Sequence, residues 1–140
     1  MTGFSGVSFT RAGVLLGLGL CVAGCSAPPG ATPQGALQTF LRALGSGDTS
    51  TACSVVAYDE KPLQGDDILL CRSGFDAVVR DIATPTELAQ LRAATVTEAI
   101  VTGDRAVVRA DMITGVPAAY QQEVSLVRSA GAWYIVTQRG

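Results

Sequence analysis

The feature that most constrains this chain is an apolar run that stops before it is long enough to cross a membrane. Ala12 to Gly24 is uncharged and mostly apolar, 13 residues following the lone charge of Arg11. A spanning helix needs about 20, and the four glycines in the run weaken it further as a helix. Pro28 and Pro29 then bar continuation. A basic start, a short apolar stretch and small residues at its end have the anatomy of a secretory signal. Residues 1–24 therefore read as an address, 25–34 as a tether, and 35–140 as the folded domain.

The end of that run, Val22-Ala23-Gly24-Cys25, resembles the lipobox of bacterial lipoproteins. The resemblance implies a diacylglyceryl group on Cys25 and cleavage before it. Two or more acyl chains, such as a diacylglyceryl with a palmitate, hold stably in a bilayer, whereas one gives marginal anchoring. Cys21 is the weaker candidate, because Leu20 before it is too bulky for the small-residue site. The alternative is an ordinary secreted protein in which Cys25 pairs with Cys21 or plays no part. With Cys21 removed and Cys25 acylated, Cys53 and Cys71 remain. Two cysteines in an exported domain are expected to form a disulfide; two buried thiols are the alternative.

The 116 residues from Cys25 onward suffice for one domain with a real core and not for two. They carry nine basic against twelve acidic residues, with no basic run, which argues against nucleic acid or an anionic membrane surface as partner. The chain has no histidine, so the commonest general base is missing and no metal site or cofactor is expected.

Helical signals come first. Thr32 offers an N-cap with Pro33 at the first helical position, and Leu37, Phe40, Leu41 and Leu44 share one face before Gly45 and Gly47 stop the helix. Asp48 is placed to cap a second helix through Tyr58, weak on propensity. Asp67 caps a third, Ile68 to Ile82, with a kink at Ser73-Gly74 and with Cys71, Phe75, Val78, Val79 and Ile82 at helical spacing. Thr84-Pro85-Thr86-Glu87 is a capping box for a short fourth helix ending near Arg92.

From Thr95 the period becomes two. Strands Thr95–Val101 and Arg105–Thr114 flank a two-residue turn at Gly103-Asp104. Counting outward pairs Glu98 with Arg109, Ala99 with Val108 and Thr95 with Met112. A second hairpin, Gln122–Arg128 and Ala132–Arg139, turns at Ser129-Ala130-Gly131. A three-residue loop there pairs Leu126 with Tyr134 and Val124 with Val136.

Helices followed by antiparallel strands are α+β organisation. Phe40-Leu41-Arg42-Ala43-Leu44-Gly45-Ser46-Gly47-Asp48 and Arg128-Ser129-Ala130-Gly131-Ala132-Trp133-Tyr134-Ile135-Val136 resemble the NTF2-like (cystatin-like cone) domain of small actinobacterial lipoproteins. The resemblance implies N-terminal helices packed on a curved antiparallel sheet, with a cone-shaped cavity open at one end. It also implies a homodimer in many members.

The inner sheet face expected from these registers is Val108, Ala110, Met112, Val124, Leu126, Tyr134 and Val136. It is apolar apart from one phenol, and holds no carboxylate to act as a base. Val108, Met112, Leu126 and Tyr134 are thus the candidate binding residues, lining either an apolar pocket or a filled core. Asp76, Asp81 and Asp111 are the carboxylates whose placement beside Tyr58, Tyr120 or Tyr134 would point to catalysis; Asp66-Asp67 is read as a capping pair. The functional expectation is a lipid-anchored, extracytoplasmic, non-catalytic module of the cell envelope. Its partner would be an apolar small ligand or an envelope protein. The alternative is an isomerase or cyclase with a carboxylate base.

Overall fold

Thr32 opens the first helix as its side chain promises, accepting a hydrogen bond from the Gly35 amide at 3.0 Å. The computed structural model describes residues 28–138; the signal run and Cys25 lie outside the described residues. Helix α1 (Pro33–Gly45) buries Ala36, Leu37, Leu41 and Leu44. Asp48 caps α2 (Thr49–Ser54), its carboxylate accepting from the Thr51 amide. This helix does not reach Tyr58. Val55 and Val56 leave it for the sheet, and strand β1 (Val56–Tyr58) turns back through β2 (Lys61–Pro62). A weak helix of Thr and Ser yields to a ladder that branched residues favour.

Helix α3 (Asp66–Ala77) starts two residues earlier than its acidic cap suggested. Gly65 sits before it at φ 55° and no side chain caps it, so Asp66 and Asp67 instead occupy its first turn, where negative charge suits the helix dipole. The helix continues through Ser73-Gly74. One interior glycine costs only about 1 kcal/mol, and Cys71 and Asp76 are tied to α2 on either side of it. The irregularity comes later, as a π-helical turn at Val78–Ile82. Helix α4 (Pro85–Ala93) carries the expected capping box between Thr84 and Glu87.

The remaining strands are β3 (Thr95–Val96), β4 (Ile100–Thr102), β5 (Arg105–Val108), β6 (Ile113–Thr114), β7 (Val124–Ser129) and β8 (Ala132–Thr137). Six form one sheet in the order β2-β1-β8-β7-β5-β4; β3 and β6 pair separately. The fold class is α+β, but the sheet is mixed, because β1 runs parallel to β8 with Val56 opposite Ile135. It is not closed into a barrel.

Two registers need correction. The first hairpin holds the expected count at its tip, with Ile100 opposite Val107 and Thr102 opposite Arg105. Beyond Val107 the ladder ends, and a 3₁₀ turn at Ala110–Met112 shifts the chain by two, so Thr95 faces Thr114 and not Met112. Arg109 accordingly pairs with Asp111 rather than Glu98. The second hairpin turns on two residues, Ala130 and Gly131, at φ 49° and 80°, the positive-φ pair whose twist matches the strands. Leu126 therefore faces Ile135, and Tyr134 faces Val127. A one-residue slip exchanges the faces of a strand. Trp133 and Ile135 point into the core, and Tyr134 and Val136 point away.

Gly45 does more than end α1. A Cβ there would lie 2.6 Å from both the Arg92 amide nitrogen and the Leu88 carbonyl oxygen. Helices α1 and α4 touch backbone to backbone at this point, and Arg92 Nη1 donates to the Gly45 carbonyl at 2.6 Å.

Candidate functional site

Three of the candidate binding residues come together, but as packed core. Val108, Met112 and Leu126 are buried beside Leu37, Leu91 and Ile113. Tyr134 is parted from them by the register of β8. It is half-buried and lines a separate cleft with Ser54, Leu63 and Ile68. Cys53 and Cys71 are joined in a disulfide that ties α2 to α3, with Cα atoms 6.1 Å apart.

The exposed side of α3 is the feature that sequence periodicity missed. Cys71 is its one buried residue. Ile68, Leu69 and Leu70 are 38, 62 and 64% exposed, and Ile82 at the end of the π-helical turn is 73% exposed. Ile82 was expected to face inward with Cys71; the π turn rotates it out. Phe75 does pack inward, its ring edge-on to Phe40 with centroids 5.4 Å apart. Shallow clefts flank the helix, one bounded by Tyr58, Leu70, Gly74 and Val78, the other by Leu69, Arg72, Ser73 and Arg80. The signal was present in Ile68-Leu69-Leu70-Cys71: four consecutive apolar residues wrap most of a helix's circumference and cannot all face one core.

A further cleft, polar and about 460 Å³, is lined by Tyr58, Asp59, Lys61, Gln64 and Asp67. It forms because the β1–β2 turn places Asp59 and Glu60 at φ 49° and 66°, an uncommon backbone for residues with a Cβ. Glu60 is held across the sheet by both terminal nitrogens of Arg105. Asp67, read as a cap, lines this cleft instead.

The three carboxylates named as possible bases lie elsewhere. Asp76 accepts a hydrogen bond from Thr49 Oγ1 at 2.8 Å, Asp81 pairs with Arg80, and Asp111 pairs with Arg109. All three are exposed. Among the described residues no group of three or more Cys, Asp or Glu is placed to hold a metal ion, and no helix is long and apolar enough to cross a membrane.

The electrostatics predict a pH profile. Asp48 is held below the usual carboxylate range by the Thr51 hydroxyl and amide, Glu60 by the Arg105 guanidinium, and Asp81 by the Arg80 guanidinium. A carboxyl lowered in the fold adds stability above its ordinary value near 4, and that stability is lost as pH falls through the folded value. Burial, with the Glu87 carboxylate, raises the Tyr120 phenol; its contribution is lost as pH rises beyond about 10. With no histidine in the chain, denaturant midpoints should form a plateau between about pH 5 and 9 and fall on both sides. A step in stability between pH 5 and 8 would contradict this assignment.

Compared with protein-family models, curated proteins and solved structures, the chain finds no match.

Proposed function

We propose that this chain is a lipid-anchored, extracytoplasmic lipoprotein whose NTF2-like domain binds a partner protein and does not catalyse. The observation that carries the binding half is α3, which buries only Cys71 and holds Ile68, Leu69 and Leu70 toward solvent. Contiguous exposed apolar side chains of this size mark interaction surfaces in soluble domains. The expected inner face, by contrast, is filled by Val108, Met112 and Leu126 and leaves little room for a ligand. The anchoring half is supported by Val22-Ala23-Gly24-Cys25 closing a run too short to span.

Two measurements test the proposal. Protein extracted from membranes should show a chain starting at Cys25 with a diacylglyceryl-sized mass increment; an unmodified chain cut elsewhere overturns the anchor. A photocrosslinker at Ser73, in cells, should give one defined protein adduct that is lost in Leu69→Ser/Leu70→Ser. That double variant should unfold within about 1 kcal/mol of the parent, because surface substitutions are each usually within about 0.5 kcal/mol. Absence of any adduct, or strong destabilisation by the variant, overturns the binding surface.

A second reading, a small-cavity isomerase or cyclase, is favoured by one observation. The cleft beside Tyr58 holds two carboxylates, Asp59 and Asp67. It is shallow and Asp59 is exposed, which suits a base poorly because water is not excluded.

A further inference from the structure

We infer that the domain is held with one particular end against the membrane: Gly30 with the hairpin tips at Gly103-Asp104 and Ala130-Gly131. The end of α1 and the second half of α3, joined where Thr49 meets Asp76, lie away from it. This rests on the lipid anchor at Cys25 proposed above.

The fold begins almost at the anchor. Gly30 is buried, and its carbonyl accepts a hydrogen bond from the Trp133 amide at 2.8 Å. A Cβ at this residue would lie 2.8 Å from the Trp133 carbonyl oxygen, and its φ is +81°, so glycine is required twice over. Ala31 donates to the Pro28 carbonyl at 3.0 Å. Five peptide units separate Cys25 from Gly30, which span at most about 17 Å fully extended. Pro28 and Pro29 stiffen that span. A domain of this size has a radius of gyration of about 13 Å and is thus roughly 30 Å across. The tether is shorter than the domain, so the domain cannot turn over on it.

What lies around Gly30 therefore lies at the bilayer. Trp133 follows Ala132, which pairs with Ser129 across the second hairpin. The Arg128 amide next to it donates to the Asp104 carbonyl at 2.7 Å, bringing the first hairpin's tip alongside. This end is suited to a headgroup surface. Ser129, Ala130, Gly131 and Ala132 are small and uncharged. Asp104 is paired with Arg128, and the Arg128 guanidinium lies 5.5 Å from the centre of the Trp133 ring.

The opposite end of the domain is reached through α1. The 13 residues of α1 carry the chain about 20 Å away from the Gly30 end. The second half of α3 and the π-helical turn after it pack there, with Asp76 on Thr49 and Val79 beside Gly47.

The test uses the lipidated chain in vesicles of phosphatidylcholine and phosphatidylglycerol carrying a headgroup quencher. A fluorescent amino acid is placed at Thr102, near the hairpin tips, or at Ser73 on α3; both positions are exposed. Quenching at Thr102 should exceed that at Ser73 several-fold. Inserting twelve Gly/Ser residues after Ser26 should bring the two values together. Equal quenching in the parent, or more at Ser73, overturns the orientation while leaving the anchor standing. If the parent does not float with vesicles, or Cys25→Ser floats equally well, the anchor itself fails and the orientation with it.

Discussion

Replacing Cys53 and Cys71 by alanine should lower the stability of the domain by about 3 kcal/mol, the chain-entropy value for a loop of this length, and should free α3 before anything else unfolds. The ring closes over 18 residues. Its local effect should be larger than its global one. Helix α3 has Cys71 as its single buried residue. Its further holds include the Phe75–Phe40 ring contact and the hydrogen bond from Thr49 to Asp76. An isolated helix of 12 residues is marginal in water, so without the staple the segment should open by itself. Hydrogen exchange of the reduced or double-alanine protein should show Asp66–Ala77 losing protection while α1 keeps it. Equal protection of α3 and α1 would mean that packing, and not the disulfide, holds the helix. The staple also explains how this domain keeps Leu69 and Leu70 exposed on an ordered helix.

Leu126→Arg should abolish cooperative folding. Leu126 is 1% exposed, in the cluster with Leu37, Val108, Ile113 and Trp133. A guanidinium there would be buried without a partner, a penalty of several kcal/mol against a total stability of about 5–15 kcal/mol for a domain. Leu126→Ala, which leaves only a cavity, should cost about 2–5 kcal/mol and still fold. Ser125→Arg, one residue along and on the exposed face, should change stability by less than about 0.5 kcal/mol. Near-ultraviolet circular dichroism and denaturant titration of the three variants separate these outcomes. A folded Leu126→Arg protein that loses uptake of a hydrophobic probe would show the inner face to be a pocket after all.

The parts of this protein legible in its sequence are those decided within a few residues. The caps at Thr32, Asp48 and Thr84 are local hydrogen bonds, each closed within three positions, and the structure forms all of them. The Gly103-Asp104 turn sets its own hairpin's register for the same reason, as far as the turn's influence reaches. The α+β order of elements follows from where the apolar period changes. Cys53 and Cys71 were expected to pair, and they are bonded.

What only the tertiary structure decided involves contacts between distant parts of the chain. Strand β1 exists because β8, some 80 positions on, offers a parallel edge to Val56 and Ala57; the local signal there favoured a longer helix. The face of β8 turned on a choice between Trp133 with Ile135 and Tyr134 with Val136. Both pairs are apolar, so alternation could not arbitrate. Burying the larger indole against α1, and a turn that accepts Ala130 at positive φ, settled it. The surface of α3 is of the same kind. Ile68, Leu69, Leu70 and Cys71 are equally apolar in the sequence, and the bond to Cys53 decides which of them turns inward.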